Sequence, residues 1–189
     1  MSTAAPPRLM TNAEFLALPD DGMERNLIRG VLQEKPMTRR NRFHSKTEAT
    51  IACYLRNWVT ALPEPRGEVL SGEAGVYLAR DPDTSVGIDV AYISAETAAA
   101  QTDETTMVDG APVLAVEILS PNDTVEEIND KIDVYIAAGV KQVWIVDPHF
   151  RTVRVHRPGH KPEFYTDDDD LVAEPDLPGF RVPVAQLFE

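Results

Sequence analysis

Apolar positions recur along the chain with two distinct periods. Between Ser45 and Leu62, the residues Ile51, Leu55, Trp58 and Leu62 follow the i, i+4, i+7, i+11 spacing of one helix face. Pro63 and Pro65 close that segment, so the spacing predicts a helix over 45–62. Cys53 falls within it and is expected to lean inward as a small apolar side chain. A second helix is predicted over 124–138. Its stripe is Val125, Ile128, Ile132 and Tyr135, and Gly139 stands where a left-handed cap would end it. A shorter helical stretch begins at Asn12 and stops at Pro19.

Elsewhere the period is two. Met23 to Lys35 alternates around Gly30, which predicts two short strands and a hairpin turn. Val69-Leu70, Val76 to Leu78, Ile88 to Ile93, Val113 to Leu119, Gln142 to Val146 and Thr152 to Arg157 read as further strands. Along Ile88 to Ile93, strict alternation would set Asp89, Ala91 and Ile93 on one face and Ile88, Val90 and Tyr92 on the other. A polar, Ala-rich stretch covers 94–109, and the tail 182–188 is expected to pack back on the body. Strand, strand, helix, strand, strand predicts an α/β fold of the mixed α+β kind, a central mixed β-sheet flanked by helices. A single domain over 1–189 is expected, with a loose tail at 1–13 and a core at 69–157.

Composition narrows the class. No apolar run approaches the ~18 residues of a membrane span, and the first residues lack the apolar segment of an export signal. One cysteine excludes an internal disulfide framework and fits a reducing cytoplasm. With 31 acids against 18 bases, the net charge of −13 argues against a general nucleic-acid coat protein. Distribution matters more than the sum. Two windows are purely basic: Arg39, Arg40, Arg42 and Lys46, then Arg151, Arg154, Arg157 and Lys161. They are either solvated turns or local phosphate contacts.

The candidate chemistry lies in acids set among apolar residues. Glu117 interrupts Val113-Leu-Ala-Val-Glu-Ile-Leu119, a strand apolar enough to be buried on both faces. An ionised carboxylate there is costly unless paired, hydrogen-bonded or bound to a cation. A position near the strand end, or a pairing with arginine, would be a purely structural alternative. Asp89 opens an apolar strand, where a turn-capping role is the alternative. If the two strands are neighbours, two hard oxygen ligands can converge in a way that suits Mg²⁺ or Mn²⁺. Lys131 lies on the flank of the second helix, within bending reach of the strand ends; a Glu127–Lys131 pair at i, i+4 is its ordinary alternative.

These residues carry a resemblance. Asp89, then Val116-Glu117-Ile-Leu-Ser-Pro121, then Lys131-x-x-x-Tyr135-x-x-x-Gly139-Val140, then Val143-Trp-Ile-Val-Asp147-Pro148 resembles the Uma2 family. That family was long catalogued as a domain of unknown function and is assigned to endonucleases of the PD-(D/E)XK, restriction-endonuclease-like superfamily. Leu27-Ile28-x-Gly30, His44 and Leu177-Pro-Gly-Phe180 … Leu187-Phe188 also fall where its pattern puts them. The resemblance implies a restriction-endonuclease-like sheet, with Asp89, Glu117 and Ile118 at a Mg²⁺ (or Mn²⁺) site. It also implies Lys131 as the residue that orients or helps deprotonate the attacking water. Nucleic acid, DNA first, would be the partner, with Arg39, Arg40, Arg42, Arg151 and Arg154 as phosphate contacts and a homodimer as the superfamily's expectation.

Three positions depart from the pattern. The superfamily's lysine two residues beyond the second acid is Leu119, the proline before the first acid is Ile88, and an early glutamate position is Asn26. Glu24 lies two residues before Asn26, on the same face of a strand, and is the candidate substitute. Two functions stay open on the residues alone. One is a metal-dependent nuclease using Asp89, Glu117, Lys131 and the Glu24/Asn26 position. The other is a catalytically silent scaffold of the same fold that binds or assembles.

Overall fold

A computed structural model describes residues 8–37, 39–104 and 106–189. The chain runs α1 (Asn12–Leu16), β1 (Met23–Ile28), β2 (Val31–Pro36), α2 (Arg42–Ala61), β3 (Glu68–Ala79), β4 (Thr84–Ile93), α3 (Ala95–Ala100), β5 (Val108–Asp109) and β6 (Leu114–Ile118). It continues through α4 (Val125–Ala138), β7 (Gln142–Asp147), β8 (Thr152–His156), β9 (Glu163–Tyr165), β10 (Asp170–Val172) and β11 (Arg181–Pro183), and closes in a 3₁₀ turn at Val184–Phe188.

Local chemistry sets the boundaries. The Asn41 side chain accepts from the backbone N–H of Phe43 and of His44, so α2 starts three residues before the apolar spacing suggests and takes His44 into the helix. A Thr124/Glu127 capping box opens α4, and Gly139 at φ 100° ends it. Arg29 (φ 50°) and Gly30 (φ 75°) supply the left-handed pair of the β1–β2 turn. Val69-Leu70 and Val76 to Leu78 belong to one strand, β3, whose register slips between Ser71 and Ala74 where Gly72 and Glu73 both adopt positive φ. The stretch 94–109 contains α3 and β5.

The large sheet runs β2-β1-β4-β6-β7-β8-β9, with β3 on β4 and β5 on β3. It is mixed: β6 and β7 are parallel, while β4 is antiparallel to its neighbours. One face packs Val90, Tyr92, Leu114, Val116, Trp144 and Val146 under Ile51, Leu55 and Val59 of α2, together with Phe180, Leu187 and Phe188 of the C-terminal segment. The other face packs Ala91, Ile93, Ala115, Val143 and Ile145 against Ile132 and Tyr135 of α4. The tail does pack back, and the predicted mixed sheet flanked by helices is the observed fold.

Three local expectations are corrected. Cys53 is exposed: at about 100° per residue it stands roughly 200° round the helix from both Ile51 and Leu55. Ile88 packs with Val86 in the α4-side cluster and not with Val90 and Tyr92, so the alternation of β4 breaks at Asp89, opposite the irregular part of β3. Of the tail expected to be loose, residues 1–7 lie outside the described residues, but Met10 and Asn12 are tied down. Met10 N–H donates to Gly30 O, and Asn12 takes hydrogen bonds with Asp83 and Ser85. No described helix is long and apolar enough to cross a membrane.

Gly67 holds the start of β3 against the end of β4, since a Cβ there would lie 2.1 Å from Ile93 O and 2.7 Å from the Tyr92 ring. Gly67→Ala is expected to destabilise the fold by about 1–3 kcal/mol, read as a lower urea midpoint at unchanged slope. An unchanged midpoint would show that this close approach is not required.

Candidate active site

One edge of β4 is shared by two strands. β1 reaches it at Leu27–Ser85, and β6 takes over from Val90–Val116 to Tyr92–Leu114. Between them the edge has no strand partner, and polar side chains satisfy the backbone donors left over. Asn26 Oδ1 accepts from Gly87 N–H at 3.1 Å, and Asp89 Oδ2 accepts from Ile118 N–H at 2.7 Å. Extending the β4–β6 register by one step sets Asp89 opposite Glu117. The notch thus brings together Asp89, Glu117 and Ile118, three of the positions singled out in the sequence.

Glu117 is 7% exposed and both of its oxygens are engaged. Lys131 Nζ lies 2.5 Å from Oε2, and the Tyr135 hydroxyl donates to Oε1 at 2.5 Å. Lysine and tyrosine stand one helical turn apart on α4, so one carboxylate receives both. The Glu127–Lys131 pairing is not the arrangement adopted: Glu127 is used in the helix cap and Lys131 turns to the sheet. Burial pushes the Glu117 acid up, with the Asp89 charge adding to it, and Lys131 and Tyr135 only partly offset that rise. Lys131 is raised despite burial because Glu117 stabilises the ammonium. Tyr135, buried beside a carboxylate, is pushed well above its ordinary value and remains a donor. At Asp89, burial pushes upward, but the neighbouring His44 ring and the Ile118 N–H outweigh it, and the carboxyl is held below its usual value.

Glu24 and Asn26 share a face of β1 and line, with Lys131 and Tyr135, a cleft of about 550 Å³ between the β1–β2 hairpin and α4. Glu24 is ion-paired to Lys35 at 3.3 Å and to Arg40 at 3.6 Å. Asn26 is occupied as the partner of Gly87. A smaller space of about 30 Å³ touches Glu117, Ile118, Asp123 and Lys131. That is room for a single water or for part of an ion's hydration shell.

Three neighbours carry no role on the residues alone: His44 is only a position in a pattern, Tyr135 only a member of an apolar stripe, and Glu48 is marked by nothing but its spacing from His44. Arg40 is expected there only as a phosphate contact. Arg40 pairs with Glu73 and approaches Asp89 Oδ1 at 4.0 Å. His44 Nε2 lies 3.3 Å from Asp89 Oδ2, and Nδ1 lies 3.8 Å from Glu48 Oε2. The i, i+4 spacings His44–Glu48 and Lys131–Tyr135 were visible signals. Of the other basic residues, Arg39, Arg42 and Arg154 are exposed, whereas Arg151 is paired to Asp167 and Arg157 to Glu163.

The model of the Uma2 family, described as "Putative restriction endonuclease", matches residues 13–185. The chain belongs to the Uma2 family. Its fold is similar to the crystal structure of a "putative nuclease belonging to DUF820" from Anabaena variabilis ATCC 29413, with a TM-score of 0.79 at 22% identity, covering 95% of this chain and 97% of that one. No curated protein matches it. This Uma2 chain therefore shares its mixed α/β fold with that structure.

The Glu117–Lys131 pair gives a pH-dependent test within the Uma2 site. A folded acid raised above its unfolded value favours the folded state at low pH and loses that contribution as pH rises through the folded value. Lys131→Met removes the charge opposing that rise, so the gap between variant and wild type should be smallest at the acid end of the range and widen as pH rises. Above the titration of Glu117 it should fall behind by about 3 kcal/mol, the low end for stripping one partner from a buried pair, because Lys131 is 28% exposed. Urea unfolding from pH 4 to pH 8 reads the difference; a gap independent of pH would show that the pair is not what holds Glu117.

Proposed function

We propose that this chain is a Mg²⁺- or Mn²⁺-dependent endonuclease of the cytoplasm that hydrolyses phosphodiester bonds of nucleic acid, DNA foremost. The observation that carries this reading is Glu117, a buried carboxylate fixed by Lys131 and Tyr135 and set one register step across from Asp89 at the notch. Two acids face each other across neighbouring apolar strands, where burial makes their paired charges costly. Burial, and after it the Asp89 charge, pushes Glu117 upward, and a divalent cation between the acids would favour their ionised forms. The donors fit such an ion: hard carboxylate oxygens from Asp89 and Glu117, the backbone of Ile118, and adjoining space for water.

A bound cation would polarise the phosphodiester and stabilise charge developing on its oxygens. The protein's own groups do the rest. Lys131, kept as an ammonium by Glu117, donates to water or phosphate and orients it; it is poorly suited to take a proton. Tyr135 fixes the Glu117 rotamer from below. Glu24, at the cleft wall, stands in for the acid absent at Asn26. Arg39, Arg42 and Arg154 offer exposed charge for the phosphate backbone, and Arg40 lies closer in, beside Asp89. The silent-scaffold reading draws its support from Asn26, whose amide is committed to Gly87.

Calorimetric titration of Mn²⁺ separates the two. Wild type is expected to bind, and Glu117→Gln to lose at least tenfold in affinity. DNA cleavage in Mg²⁺ or Mn²⁺ should follow, and Lys131→Ala should abolish it with the fold intact by circular dichroism. Absence of cation binding in wild type would favour the scaffold.

A further inference from the structure

His44 and Glu48, one turn apart, present their side chains on the same face of α2 towards Asp89. One ligand atom from each of His44, Glu48 and Asp89 lies within 4.8 Å of the other two. His44 is 1% exposed, and neither ring nitrogen makes an aligned hydrogen bond although carboxylates flank both. A buried imidazole left in that state is costly unless something else completes it. The carboxylates, by contrast, are already positioned. Glu48 Oε1 accepts from Gly72 N–H at 2.7 Å, in the irregular part of β3, which leaves Oε2 turned to His44. Asp89 Oδ2 is held by Ile118 N–H, and Arg40 approaches the opposite oxygen, Oδ1. Backbone donors that orient carboxylates in this way are the usual support of a metal ligand set.

We infer that His44, Glu48 and Asp89 form a divalent-cation site that takes Mn²⁺, Co²⁺ or Zn²⁺ in preference to Mg²⁺. Mg²⁺ favours an all-oxygen shell rich in water, whereas an imidazole nitrogen shifts preference towards the first-row transition metals. Asp89 belongs both to this set and to the pair with Glu117. The inference therefore rests on the nuclease reading for its purpose but not for its ligands, since Glu117 is absent from the set.

The test compares Mn²⁺ and Mg²⁺ titrations of wild type, His44→Ala, Glu48→Gln and Glu117→Gln, with pulsed electron paramagnetic resonance of the Mn²⁺-loaded protein. Glu48→Gln keeps an oxygen for Gly72 N–H and so guards against loss of the fold. Mn²⁺ affinity should fall at least tenfold in both His44→Ala and Glu48→Gln, while Mg²⁺ affinity stays within about twofold. Wild type should show the nitrogen coupling of a bound imidazole, and His44→Ala should not. Unchanged Mn²⁺ affinity in the two α2 variants, or no nitrogen coupling in wild type, overturns the inference. If Glu117→Gln alone abolishes binding, the nuclease site stands and this one falls. If only the α2 variants lose Mn²⁺, this site stands and Glu117 is no ligand. No binding in wild type overturns both.

Discussion

The site depends on a backbone hydrogen-bonding constraint at the edge of β4. Two strands share that edge, and where one leaves before the other arrives, N–H groups lose their ladder partners. Asn26 and Asp89 fill the gap with side-chain oxygens. The same notch that requires these polar groups admits them to the interior, so an acid can sit at 4% exposure within an otherwise apolar strand. Asp89 is thus at once a backbone cap and a candidate ligand, and the two roles draw on different lone pairs of one carboxylate.

Around that notch the charges are layered. Glu117 is balanced from α4 by Lys131 and Tyr135, while Asp89 is approached by His44 of α2 and by Arg40 from the loop before it. Each helix therefore does two things: it covers one face of the sheet with an apolar stripe, and it delivers polar side chains to the same sheet edge. In α4 both come from one stripe, since Tyr135 belongs to the core and to the Glu117 shell. The cost of burying two acids is thus spread over both layers. The long cleft lined by Glu24, Asn26 and Lys131 opens this region to solvent on the hairpin side.

Much of the fold was legible in the residues because the strongest signals are local. The helix caps, Gly139, the hairpin at Gly30 and the near-continuous apolar strands β6 and β7 depend on side chains within a few positions of one another. Two positions, Cys53 and Ile88, depart from the local reading. Cys53 was placed by its neighbours in sequence, whereas the helix turned it to solvent. Ile88 was placed by period two, which the break opposite the β3 irregularity cancels. Lys131 stands on the helix flank within reach of the strand end, and the helix cap's use of Glu127 leaves the lysine to Glu117.

For the site, the sequence by itself determined which residues carry the unusual chemistry: acids at 89 and 117 among apolar neighbours, a lysine on the flank of the following helix, and a pattern specific enough for the Uma2 family. The reason is energetic, since a carboxylate in such a strand is tolerated only with compensation, and compensation leaves a motif. The tertiary structure alone decided what does the compensating. Tyr135, His44, Glu48 and Arg40 reach the acids from helices and loops far along the chain. No local spacing states that β1 and β6 divide one edge of β4, because strand order is set by how the whole sheet packs between its two helical layers.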